Sequence, residues 1–324
     1  MQTILVTGGA GFIGYHLTSA LLQRGDRVII VDNFNDYYDP AIKFARIKIL
    51  KKHRNHKRLK IYKLDISNYK KLAKVFKKHR ITKICNLAAQ AGVRYSLKDP
   101  FRYEQWNNLG MLTLLELARK FKVKDVVYAS SSSVYGGNTK IPFSEKDNVD
   151  TPISIYAATK KSNELYAYVY HKLYGLNCTG MRFFTVYGPW GRPDMALFKF
   201  VKNILINKPI DVYNYGNMKR DFTYVTDIVQ GIIAAIDNPF PYEVFNIGNS
   251  KPVKLMEFIE AIEKTLGRKA KKRMLPMQKG DVSATYANTS KARRLLDYEP
   301  KTDVEEGIRN FVNWYVKWNR KKRS

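Results

Sequence analysis

Tyr156 and Lys160 stand four residues apart in Tyr-Ala-Ala-Thr-Lys. On a helix that spacing puts both side chains on one face, about one turn apart. An ammonium near a phenol favours the phenolate and lowers the tyrosine pKa. A tyrosine so placed can take and return a proton near neutral pH. Alone, the pair would be two ordinary helix-surface residues. Ser131 gives it context, because it lies 25 residues upstream in the run Tyr128-Ala-Ser-Ser-Ser-Ser-Val-Tyr-Gly-Gly137, where the serines end an apolar, strand-like stretch. Ligands of parallel sheets bind beyond the carboxyl ends of the strands. A hydroxyl there can hydrogen-bond a reacting oxygen or relay a proton.

A second constellation opens the chain. Ile4-Leu5-Val6 reads as a short buried strand, Gly8, Gly9, Gly11 and Gly14 as a tight turn, and residues 12–24 as an apolar helix. The glycines fit both G-x-G-x-x-G and G-x-x-G-x-x-G. A turn without Cβ atoms lets backbone approach a pyrophosphate, and the helix start offers free N–H groups with a partial positive charge. Eighteen positions after Gly14, Asp32 closes a second strand over residues 27–32. This is the context in which the motif means dinucleotide binding. Asp32 would accept the adenosine ribose hydroxyls and repel a 2′-phosphate, which selects NAD over NADP.

These residues need a scaffold that presents them at one sheet edge. Strand and helix patterns alternate through the first half: strands at 60–64 and 84–88, helices at 42–52, 69–79, 100–121 and 154–174, and further strands at 126–129 and 178–183. That rhythm predicts a Rossmann-type, doubly wound parallel sheet. From Tyr187 the elements shorten, and Pro189, Gly191, Arg192 and Pro193 make a loop. The expected division is an NAD-binding domain over 1–184, with chain crossing back near 220–250. A smaller α/β domain over 185–324 would bind substrate.

Composition sets limits. A hydrophobic content of 45% can fill a core. No stretch of 18 apolar residues exists, so no membrane span is expected. The chain enters a strand at once, so no signal peptide is expected. Cys85 and Cys178 lie in apolar, strand-like runs and read as reduced core residues of a cytoplasmic protein, with no metal site. The net charge is +29, with lysine-rich patches at 48–60, 70–80, 269–273 and 317–323. Their dispersal matches no nucleic-acid-binding motif. They read as a solvated surface that attracts an anionic substrate.

The glycine turn, the strand-end serine and Tyr-x-x-x-Lys together resemble the extended short-chain dehydrogenase/reductase superfamily. Within it the chain resembles the nucleotide-sugar 4-epimerases, those acting on UDP-glucuronate most of all. The stretches that carry the likeness are residues 32–39, 86–96, 130–138, 181–195 and 218–227. It covers essentially the whole chain.

The resemblance implies that Tyr156 takes the C4 hydroxyl proton, that Lys160 lowers its pKa and binds the nicotinamide ribose, and that Ser131 contacts the same oxygen. NAD would be reduced and reoxidised within one turnover. Gly8, Gly11, Phe12, Ile13, Gly14 and Asp32 would seat the cofactor. Asp65 and Ile66 would hold the adenine, with Leu87, Ala88 and Ala89 beneath and Asn107 nearby. On the substrate side Ser132 and Thr185 would contact the sugar, and Arg192 would hold the uronate, with Arg94 as a second candidate. Arg220 and Gln278 would reach the uridine diphosphate. The triad does not separate an epimerase from a UDP-glucuronate decarboxylase of the same fold. The resemblance also implies a homodimer through the helices at 100–121 and 154–174. No nucleic acid or membrane partner is expected.

Overall fold

The computed structural model describes residues 2–278 and 280–323. Its strands are β1 (Thr3–Thr7), β2 (Arg27–Asp32), β3 (Leu59–Lys63), β4 (Lys83–Asn86), β5 (Asp125–Ser131), β6 (Asn177–Phe183), β7 (Thr185–Tyr187), β8 (Ile210–Tyr213), β9 (Lys219–Tyr224), β10 (Tyr242–Ile247), β11 (Pro252–Lys254) and β12 (Lys272–Leu275). Seven form one sheet in the order β10-β6-β5-β4-β1-β2-β3. All its pairings are parallel. The order reverses after β3, so β1 and β4 flank the switch point where such sheets bind ligands.

Alternation along the strands fills both faces. Ile4, Val6, Val28 and Ile30 pack on one side with the helices Phe12–Arg24 and Val225–Asp237. Leu5, Ile29, Val31 and Ile84 pack on the other with the helices Tyr69–Lys78, Gly110–Lys120 and Ile155–Tyr174. Both faces of a parallel sheet must be covered, and this one is. Cys85 and Cys178 are buried in this core and unpaired.

A second core lies outside the sheet. The helices Ala196–Leu205, Leu255–Leu266 and Val304–Arg323 close on strands β8 and β9 around Phe198, Phe222, Phe258 and Phe311. The small sheet β11-β9-β7 and the pair β12-β8 belong to this region. β10 instead returns to the main sheet beside β6. No helix among the described residues is long and apolar enough to cross a membrane.

One expected helix is built differently. The long run starting at Pro100 is a short α-turn, Pro100–Tyr103, then a π-type stretch, Glu104–Leu109, then the helix Gly110–Lys120. The wider turn brings Asn107 inward. Its side-chain oxygen accepts from the Gln90 backbone at 2.8 Å, and its amide donates to Thr159 Oγ1 at 2.9 Å.

Candidate active site

The glycine turn starts from β1 and ends in the helix Phe12–Arg24. Gly8 has φ +67°, and its Gly8 carbonyl accepts from the Gly11 N–H at 2.9 Å. A Cβ on Gly11 would come within 2.8 Å of that carbonyl, and one on Gly8 within 2.8 Å of the Ala88 nitrogen. A side chain at either position would therefore clash with the backbone that shapes the turn. Asp32, at the end of β2, is buried. Its Oδ2 accepts from the Ala10 N–H at 3.0 Å and its Oδ1 from the Phe34 N–H at 2.8 Å. Each carboxylate oxygen keeps a free lone pair for a ribose hydroxyl. The bare turn, the helix start and this carboxylate fit a dinucleotide such as NAD.

A cavity of about 780 Å³ runs from this turn across the ends of the strands. Of the expected cofactor residues, Gly8, Gly11, Phe12, Ile13, Gly14 and Asp32 line it. So do Asp65, Ile66, Leu87, Ala88 and Ala89. Asp65 also closes its own turn, accepting from the N–H and hydroxyl of Ser67. Asn107 lies behind the wall instead, spent on Gln90 and Thr159.

Ser131, Tyr156 and Lys160 face the same cavity. Ser154 caps the helix Ile155–Tyr174 by accepting from the Ala157 N–H at 3.1 Å. That cap fixes where the helix begins, and so which face Tyr156 and Lys160 share. Lys160 Nζ donates to the Ala129 carbonyl of β5 at 2.8 Å and lies 6.0 Å from the Tyr156 ring centre. Burial pushes the Lys160 ammonium down to about 8. Burial also raises the Tyr156 pKa, against a hydrogen bond with Ser131 and the charge of Arg192, which lower it. The expected lowering by Lys160 is therefore not what this structure shows. The phenol is desolvated, and the lysine is turned to a backbone carbonyl.

The substrate-side residues divide into two groups. Arg192 lines the cavity and forks onto Asp194, Nε to Oδ1 at 3.0 Å and Nη2 to Oδ2 at 2.5 Å. Arg94 and Arg220 instead converge on Asp281, at 3.1 and 2.9 Å. Arg94 thus stands with Arg220 and also covers the ring of Tyr213, 4.6 Å from its centre. Ser132 and Thr185 line the cavity. Gln278 is not among the lining residues, and its buried Oε1 finds no hydrogen-bond partner among the described residues.

Sequence reasoning assigned no role to Tyr37 or Asp194, and both line the cavity. Asp194, two residues after Arg192, was detectable as a local counter-charge. Tyr37, 157 positions away, carried no such signal. Among the described residues no group of three or more His, Cys, Asp or Glu side chains gathers as a metal site would.

Comparison with known proteins agrees with this geometry. A family model described as GDP-mannose 4,6 dehydratase matches residues 5–311. An uncharacterized protein of Methanocaldococcus jannaschii is 58% identical over 97% of this chain and 96% of its own. A UDP-glucuronate 4-epimerase of Thermodesulfobacterium geofontis is 48% identical, over 97% of this chain and 96% of its own. Among solved structures, the UDP-glucuronic acid 4-epimerase of Bacillus cereus in complex with UDP-glucuronic acid and NAD superposes with a TM-score of 0.91. It is 34% identical and covers 98% of this chain and 100% of its own. By family model and relatives alike, the chain belongs to the nucleotide-sugar epimerase/dehydratase family.

Proposed function

We propose that the chain is an NAD-dependent UDP-glucuronate 4-epimerase, an isomerase that interconverts UDP-glucuronate and UDP-galacturonate. One observation carries this reading furthest. Arg192 shares a cavity with Tyr156, and its charge reaches the phenol. An arginine fork suits a sugar carboxylate, and a phenol beside it suits the neighbouring C4 hydroxyl.

The residues divide the work as follows. Gly8, Gly11, Gly14 and the helix start at Phe12 and Ile13 seat the cofactor's pyrophosphate. Asp32 takes its ribose, and Asp65, Ile66 and Leu87 to Ala89 line the adenine end. When bound, NAD would supply a reversible hydride acceptor for C4. Tyr156 takes the C4 hydroxyl proton and returns it. Ser131 hydrogen-bonds the same oxygen. Lys160, which donates to the Ala129 carbonyl, would also bind the nicotinamide ribose. The C4 ketone so formed turns with its ring about the link to the diphosphate and presents its other face. Ser132, Thr185 and Arg192 hold the sugar and its carboxylate. Arg220, with Arg94, faces the diphosphate.

Residues 1–184 form the NAD-binding part in this reading, and 185–324 mainly the UDP-sugar part. We place the protein in the cytoplasm, since two buried, unpaired cysteines suit a reducing compartment. We also infer a homodimer. Leu165, Val169 and Leu173 make an exposed apolar stripe along one long helix, and Phe101, Leu109 and Leu112 lie exposed on the other helical run.

The test is direct. Purified protein is incubated with UDP-glucuronate, without added NAD, and products are followed by NMR. UDP-galacturonate is expected. UDP-xylose with carbon dioxide would make the chain a decarboxylase, and an inert mixture even with NAD supplied would end both readings. Tyr156→Phe should lose turnover by about a hundredfold or more while still binding UDP, as removal of a general acid–base does. Full activity in that variant would remove Tyr156 from the mechanism.

A further inference from the structure

We propose that Tyr37 and Asp194 form a latch that aims the Arg192 guanidinium, which makes both of them positioning residues for the substrate carboxylate. This rests on the epimerase reading above.

Arg192 gives Nε and Nη2 to the two oxygens of Asp194, at 3.0 and 2.5 Å. A guanidinium has five N–H donors in one plane. With one edge spent on Asp194, the Nη1–Nη2 edge remains as a second fork of the same shape. An incoming carboxylate can dock there end-on without displacing Asp194. The direction of that free edge is set by where Asp194 sits. Asp194 is in turn pinned by the Tyr37 hydroxyl, which donates to Oδ2 at 3.2 Å. The Arg192 guanidinium lies 5.9 Å from the Tyr37 ring centre.

The surroundings leave little else to decide. The loop backbone is tied independently. Arg46 donates to the Trp190 carbonyl at 2.6 Å and His16 to the Pro189 carbonyl at 2.8 Å. What these ties leave open is the direction of one side chain. Gly92 sits against that side chain. A Cβ there would meet the Tyr37 hydroxyl at 3.0 Å and Arg192 Nη2 at 3.9 Å. The Gly92 carbonyl accepts from Tyr103 at 2.6 Å, and the Tyr103 ring meets Tyr156 edge-on, with centres 6.1 Å apart. The latch and the phenol therefore abut opposite sides of the Gly92–Tyr103 contact. Electrostatics agree with a standing pair. Burial would raise the Asp194 pKa, but Arg192 and the Tyr37 hydroxyl outweigh it and hold Asp194 below the usual carboxylate range.

Aim matters for this chemistry. With C4 oxidised to a ketone, a uronate is a β-keto acid. If the C5–C6 bond lies along the ketone π-system, it breaks and carbon dioxide leaves. The bonding pair then forms an enolate across C4 and C5, which takes a proton at C5. A carboxylate held with C5–C6 near the ketone plane is spared. A mis-aimed Arg192 should therefore weaken uronate binding and also shift product from epimer to the decarboxylated sugar.

Asp194→Asn and Tyr37→Phe keep shape and remove, respectively, the charge and the hydroxyl. The readouts are NMR product ratio, KM, melting temperature, and calorimetric affinity for UDP, UDP-glucose and UDP-glucuronate. In Asp194→Asn, KM for UDP-glucuronate should rise about tenfold. The decarboxylated share should grow severalfold, while UDP affinity and melting stay near wild type. Tyr37→Phe should shift the same way by less. Unchanged KM and product ratio in both variants would overturn the latch. So would a loss shared equally by UDP and UDP-glucuronate, because that marks a merely structural role. If the wild type leaves UDP-glucuronate unconverted, the epimerase reading fails. The latch is then judged by binding alone: Asp194→Asn should erode the preference for UDP-glucuronate over UDP-glucose, and an unchanged preference overturns it.

Discussion

Lys160 shows what a candidate functional residue costs the fold. Its ammonium is pushed down to about 8 by burial, whereas an unfolded lysine titrates near 10.4. Between those values the unfolded chain binds more protons than the folded one, so stability rises with pH across that window. Below it, the buried charge destabilises the protein by up to about 3 kcal/mol. Lys160→Met should therefore melt no lower than wild type at pH 7 and gain less stability between pH 8 and 10, while losing turnover. A drop of many degrees in calorimetry would instead make Lys160 a structural support. The pair Tyr156 and Lys160 was legible only together with Ser131, because the four-residue spacing alone is common on helix surfaces. Their protonation was not, because it depends on burial in the folded chain and, for Tyr156, on the Ser131 hydroxyl and the charge of Arg192.

The long helix Ile155–Tyr174 is fixed to the sheet by an ion pair that composition does not reveal. Glu164 accepts from Arg182 Nε at 2.9 Å and Nη2 at 2.8 Å, and from the Ser130 hydroxyl at 2.6 Å. Both side chains are about 95% buried. Ser130 precedes Ser131 on β5, so this pair holds the strand end that carries the candidate catalytic serine. Removing one partner strands the other charge in the core. Glu164→Ala should lose ~3–5 kcal/mol in urea unfolding, and the double variant with Arg182→Ala should lose less than the sum of the two singles. Additive losses would mean the pair is not coupled. The glycine turn, the alternating layers and the capped helix were all readable, because each is written in local spacing. The π-type turn at Glu104–Leu109 was not, since an i to i+5 bond leaves the apolar pattern helical. Nor was β10 beside β6 assigned, because that pairing joins segments more than sixty residues apart.

Across the whole molecule, charge and apolar surface are unevenly spread. Nineteen of the 57 lysines and arginines, but one of the 28 acidic residues, fall between Pro40 and Lys98. This stretch includes β3, an edge of the main sheet. Lysines along an exposed edge discourage further strand pairing. Exposed apolar side chains also occur on the helical run 100–120 and on the helix Ile155–Tyr174, where Phe101 is 83% and Leu173 66% exposed. Leu165→Asp with Leu173→Asp should convert a dimer of twice the 37.6-kDa chain mass to a monomer in light scattering. An unchanged mass would place the interface on another face. A last consequence follows from Arg46. This fully buried guanidinium joins the Ala10 carbonyl of the glycine turn, at 2.8 Å, to the Trp190 carbonyl, at 2.6 Å. The loop that carries Arg192 is therefore not an interchangeable cassette. Grafted into a relative without an arginine at that place, it would arrive with its carbonyls unanswered. The loop with the proposed carboxylate holder and the turn with the proposed cofactor seat are thus tied to change together.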